Sequence, residues 1–161
     1  MNYFLESMKL RMVTWWQIPV ICYCRPRIIH LDDEYCTLRI PLNWRMRNHV
    51  QSMYIGVFTV GADLTGWLLT LSSIRKRKRK VVLIFKDFHA DFFKRAEQDV
   101  LFICRDGTAI DHAVQQAVDT GERINLPINI TAMLFQDTED DPVANFRLTL
   151  SMKDRTNAYQ E

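Results

Sequence analysis

Between residues 50 and 74 the chain is almost wholly apolar, and Asp63 is the only carboxylate or basic side chain in the run. Such a length without charge predicts a helix buried on all sides by the rest of the domain. The flanks show other periods. In residues 3–17, Phe4, Leu5, Met8, Met12, Trp15 and Trp16 recur at spacings of three and four. This predicts an amphipathic helix ending before Pro19, with the Trp-rich face packed on the domain and a partner or membrane surface as its alternative cover. Asp32-Asp33 marks a turn, and residues 35–40 read as a strand stopped by Pro41. Residues 80–92 and 99–104 are β-branched and aromatic, and are expected to lie as adjacent antiparallel strands before the turn Arg105-Asp106-Gly107. Residues 108–120 place Ala109, Ile110, Ala113, Val114, Ala117 and Val118 on one face of a second, shorter, exposed helix, with Gly121 as its stop. Last, residues 124–135 and 143–153 bracket an acidic turn at 136–142. Phe146, Leu148, Leu150 and Met152 alternate with Arg147, Thr149, Ser151 and Lys153, as in an antiparallel hairpin with one buried face. The polar residues 154–161 are expected to fray.

One long apolar helix followed by several antiparallel strands is an α+β layout in which the sheet curls round the helix. A chain of 161 residues with 48% apolar content suits one domain over 1–161, with 1–17 packing on it. The apolar run ends in the basic run 75–80, as a membrane span with a cytoplasmic stop does. Against a span, Asp63 would sit near the bilayer centre at a cost of roughly 3 kcal/mol or more, and seven Gln, Ser and Thr residues dilute the run.

Charge changes the picture little. The formal net charge is +2, made of +8 in residues 1–80 and −6 in residues 81–161. Six cations lie in the single run 75–80, so the remainder is mildly acidic and no general nucleic-acid surface is expected. Cys22, Cys24, Cys36 and Cys104 have neither zinc-site spacing nor a disulfide pattern, which fits reduced thiols in a cytoplasm. Glu6, Lys9 and Arg11 interrupt any signal-peptide core.

A lone acid in a buried run needs a partner or a job. Asn48, Tyr54-Ile55-Gly56 and Asp63 keep, without a gap, a spacing that resembles the hotdog thioesterase superfamily, above all its phenylacetate-type acyl-CoA thioesterases and a related uncharacterised group. There an Asn, a His-Gly-Gly turn and an Asp on the central helix hold these positions. Here Tyr54 and Ile55 replace the His and the first Gly. The resemblance implies a hotdog fold and thioester hydrolysis, with Asp63 as base or nucleophile and the Gly56 region as oxyanion donor. It also implies no cofactor beyond the coenzyme A of an acyl-CoA (or acyl-carrier) substrate.

Gly56 and Asp63 are seven residues apart, about 10 Å along a helix, too far to touch one carbonyl group. The resemblance implies a site between two subunits, and a homodimer with donors from one chain and the acid from the other is compatible with the spacing, with pairing of dimers into tetramers left open. Beside each functional role stands a plain one. Asp63 is either a catalytic acid or a buried acid bonded to a strand, Tyr54 either a substrate donor or a packed ring, and Asn48 either a substrate contact or the shaper of its turn. His49 reads as turn packing, and His89 with Asp91 falls short of a metal site. The 75–80 run is a solvated loop, or its cations hold coenzyme A phosphates. The rival to hydrolysis is a non-catalytic hotdog protein that binds an acyl or CoA ligand.

Overall fold

The computed structural model describes residues 3–136 and 141–156. Its helices are α1 (Tyr3–Gln17), α2 (Pro19–Tyr23), α3 (Ile55–Lys76) and α4 (Gly107–Thr120), with a 3-10 turn at Trp44–Met46. The strands are β1 (Arg27–Leu31), β2 (Cys36–Ile40), β3 (Val81–Phe92), β4 (Val100–Cys104), β5 (Ile124–Leu134) and β6 (Ala144–Asp154). They form one antiparallel sheet in the order β1-β2-β4-β5-β6-β3.

The apolar run becomes α3, which lies on the concave face of this sheet. Two glycines let it come close. A Cβ at Gly61 would stand 2.3 Å from the Phe102 ring of β4, and one at Gly66 would stand 2.6 Å from Ile128 Cδ1 of β5. Phe102, Phe146 and Phe58 pack together beneath the helix with ring centroids 6.0–6.3 Å apart. Thr65 and Thr70 are buried there at no unmet polar cost, because each hydroxyl donates to a carbonyl one turn back, Gly61 at 2.7 Å and Gly66 at 2.8 Å. By length and composition α3 could cross a bilayer, yet more than half of its most apolar stretch is buried inside the protein.

The hairpin of the last third is present, with Phe146, Leu148, Leu150 and Met152 buried. Four expectations need correction. First, β3 and β4 are not neighbours: β3 pairs with β6 at the sheet edge, while β4 lies between β2 and β5. Val100, Phe102 and Cys104 are fully buried, and such a strand needs partners on both sides; the half-exposed β3 does not.

Second, α1 turns the other way. Phe4, Leu5, Met8, Met12 and Trp16 are exposed, and the Trp15 side chain lies outside the described residues. The face toward the domain is Tyr3, Ser7 and Leu10, fixed where the Ser7 hydroxyl accepts from Ile28 N–H at 2.9 Å. Third, α4 is not simply exposed. Ile110, Ala113, Val114 and Ala117 are buried, and Arg77 donates to both carboxylate oxygens of Asp111 at 2.8 and 2.9 Å, tying α4 to the end of α3. Fourth, the start of the C-terminal tail is held. The Asp154 carboxylate accepts from Arg79 at 2.6 Å and from Thr156 N–H at 2.8 Å, and residues 157–161 lie outside the described residues, as do 137–140 of the acidic turn.

If the glycine contact sets the seating of α3, Gly61→Val is expected to lower stability by about 1–3 kcal/mol through overpacking against Phe102. Urea unfolding measures it, and Val60→Ala, on the less buried side of the same turn, is expected to cost less.

Candidate functional site

The turn that delivers the chain into α3 is built by Asn48. Its Oδ1 accepts from Val50 N–H at 3.0 Å and Ser52 N–H at 3.1 Å, and its Nδ2 donates to Ser52 Oγ at 3.0 Å. Gln51 closes the turn at φ 64°. Asn48 therefore spends its polar atoms on the local backbone, as Asn side chains commonly do in turns. Met53 N–H then donates to Ala96 C=O and Tyr54 N–H to Met46 C=O, both at 2.8 Å, so the segment reaches the helix with a fixed direction.

Tyr54 is the N-cap residue, with extended backbone and no capping side chain. Its carbonyl accepts from Val57 N–H at 2.9 Å. The N–H groups of Ile55 and Gly56 have no partner among the described residues, as the first donors of a helix must unless something caps them. Two free amides at the positive end of α3 form a place where negative charge is favoured. The half-exposed Tyr54 ring covers this place: a Cβ on Gly56 would meet its Cε1 at 2.6 Å. Beside it lies a small cavity of about 210 Å³ bounded by Asn48, Ser52, Ile55, Phe58, Phe92 and Arg95.

Asp63 stands two turns further on. Its carboxylate has no hydrogen bond or ion pair among the described residues, and burial pushes its pKa up to about 6. It belongs to a stripe of half-buried residues, Gly56, Val60, Asp63, Trp67 and Leu71, with fully buried positions on both sides of Asp63 and Trp67. These recur at three and four, so they form the one long side of α3 that the sheet does not cover. The structure thus sets Tyr54, Gly56 and Asp63 along one surface and leaves the acid two helical turns from the free amides, about 10 Å along the axis.

Of the other residues singled out from sequence, His49 is exposed, and His89 Nε2 lies 3.4 Å from Asp91 Oδ2 on the exposed strand β3. Within the basic run, Lys76 pairs with Asp33, Arg77 with Asp111 and Arg79 with Asp154. Arg75 is exposed and has no partner among the described residues. The free Ile55 and Gly56 amides lie in the Gly56 region expected to supply donors, whereas Arg95 is a feature that the linear pattern does not point to. Helix N-termini do leave free amides, which is the signal for the first.

A curved antiparallel sheet wrapped round a long central helix defines the hotdog fold, the fold of the hotdog thioesterase superfamily. Residues 10–152 match the family described as a domain of unknown function, DUF4442, and the chain belongs to that hotdog-type family. Among solved structures, it is similar over 92% of its length to a Pseudomonas aeruginosa protein of unknown function described as a "probable thioesterase", with 95% of that chain covered, 23% identity and a TM-score of 0.76. A Chlorobaculum tepidum protein of unknown function matches over 94% of this chain and 96% of its own, with 13% identity and a TM-score of 0.78. A thioesterase from Haemophilus influenzae matches over 94% and 92%, with 12% identity and a TM-score of 0.65. At such identities the likeness is one of fold. No curated protein matches the chain.

The position of Asp63 has a stability consequence. A carboxyl whose pKa rises from 3.8 to about 6 on folding lets the folded state hold its proton longer, so the contribution of Asp63 to stability is greatest below about pH 4 and is lost as pH rises through 6. Asp63→Asn removes that penalty. At pH 8 the variant is expected to be more stable than the parent by up to about 3 kcal/mol, with the gap closing below pH 4; urea unfolding at both pH values measures it.

Proposed function

We propose that this protein is a cytoplasmic homodimeric hydrolase of acyl-CoA or similar thioesters, with Asp63 as its base or nucleophile. The observation that carries the reading is the unpartnered Asp63 carboxylate, held with a raised pKa on the uncovered stripe of α3. As a base it takes a proton from water as the oxygen attacks the thioester carbonyl. The oxyanion that develops needs donors, which the free Ile55 and Gly56 amides supply, and the thiol leaves as the intermediate collapses. A base with a pKa near 6 is deprotonated at neutral pH yet still basic enough to share a proton in the transition state.

One chain does not place acid and amides around one carbonyl, so the second subunit completes the site. Two features support a dimer. Apart from Asp63 the stripe from Gly56 to Leu71 is uncharged and half uncovered, and β3 is a 12-residue edge strand with Val82, Ile84, Phe88 and Phe92 exposed and one row of backbone groups unpaired. Pairing of β3 with its copy would continue the sheet and bring the two stripes together. Ile84→Lys is expected to shift the protein from dimer to monomer in sedimentation and to abolish turnover with it.

Release of free thiol from short, medium, long and aromatic acyl-CoAs tests the reaction. Turnover is expected, falling at least a hundredfold in Asp63→Asn. In the parent, kcat/KM is expected to rise with pH and level off above about 6, because only the deprotonated acid acts. Ligand binding without turnover is the second reading, favoured by the Tyr54 ring that covers Gly56. Acyl-CoA binding with no thiol released by either protein would establish it.

A further inference from the structure

A second cavity, of about 630 Å³, lies past Asp63 toward the C-terminal end of α3. Its walls come from three elements: Leu10 of α1, Ile28 and Leu31 of β1, and Trp67, Leu68 and Leu71 of α3. Besides these apolar residues and Ser72, the lining holds three cations, Lys9, Arg75 and Lys76, and one carboxylate, Glu6. Two of these cations are already committed, Lys9 to Glu6 at 3.0 Å and Lys76 to Asp33. Arg75 is not, and the Ser72 hydroxyl, three residues before it on the same side of the helix, has no hydrogen bond among the described residues. From Trp67 to Arg75 the groove runs about 12 Å along the helix axis.

An apolar trench of this size that ends at an unpaired guanidinium and a free hydroxyl matches a molecule with the complementary halves. We infer that the groove between α1, β1 and α3 binds a single-chain anionic amphiphile of the fatty-acid class, its hydrocarbon chain against Leu10, Ile28, Trp67 and Leu71 and its head at Ser72 and Arg75. Charge decides the head: the lining is net cationic, and Arg75 is its one cation without a carboxylate partner among the described residues. Apolar area decides the tail, since each methylene buried tightens binding about fourfold. The groove shares Trp67 and Leu71 with the far end of the α3 stripe, but binding there needs no turnover.

Isothermal titration calorimetry tests it with dodecanoate below its micelle-forming concentration, hexanoate, and dodecyltrimethylammonium as the cationic counterpart. Dodecanoate is expected to bind more than tenfold tighter than either. Leu71→Trp, which fills the trench, is expected to abolish binding. Arg75→Glu, at an exposed position without a partner, leaves the fold intact and is expected to weaken dodecanoate about fivefold or more while sparing neutral dodecanol. Circular dichroism melts confirm that both variants fold. Equal dodecanoate binding in the parent and Arg75→Glu, equal affinity for the cationic amphiphile, or association only with micelles and vesicles would overturn the inference.

Discussion

The structure depends on how near α3 comes to the sheet. Gly61 and Gly66 have no side chains, so Phe102 and Ile128 rise into the space and the helix sits against the two central strands, β4 and β5. That seating buries Ala62, Leu64, Thr65, Leu69 and Thr70. It also decides which side of the helix is left over. The stripe from Gly56 through Val60, Asp63 and Trp67 to Leu71 faces away from the sheet, and both candidate sites lie along it or beyond its end. The features from which the catalytic and binding proposals are argued are therefore consequences of one packing choice, made by two glycines.

The same seating explains why an acid is tolerated. Asp63 would be costly on the buried side of α3, where no charged partner waits. On the uncovered side it is half-buried, its pKa is raised, and it keeps partial contact with water. A carboxylate held with no hydrogen-bond partner is unfavourable for folding at neutral pH and favourable for proton transfer. The surrounding core, with Phe102, Phe146, Leu148 and Leu150 essentially fully buried, offsets that cost.

Much of this was legible in the chain. The length and apolarity of residues 50–74 give the central helix, the alternation from Phe146 to Met152 gives the hairpin, and the isolation of Asp63 within its run marks it as the residue to explain. What was not legible depends on distant partners. Nothing in residues 80–104 says that β4 goes between β2 and β5 while β3 goes to the edge, because strand order is set by which faces α3 covers. The inward face of α1 was missed for a similar reason. A Ser at position 7 looks polar by itself, yet its hydroxyl meets the Ile28 amide of β1, whereas the larger apolar residues of α1 face out. β1 itself, with Arg27 and His30 among its five residues, carries no clean alternation. The cavity under α1 follows from these contacts and so has no linear signature.

The central claim is that acid and amides belong to one site only when two copies meet. Mixing of inactive variants tests it most directly: Asp63→Asn and Gly56→Val, each inactive in thiol release, are unfolded together, refolded as a mixture and assayed. In a site shared between subunits, half of the dimers are mixed and each mixed dimer holds one intact site, so about a quarter of the parent activity returns. No activity in a mixture shown by native mass spectrometry to contain mixed dimers would contradict the account and confine the site to a single chain.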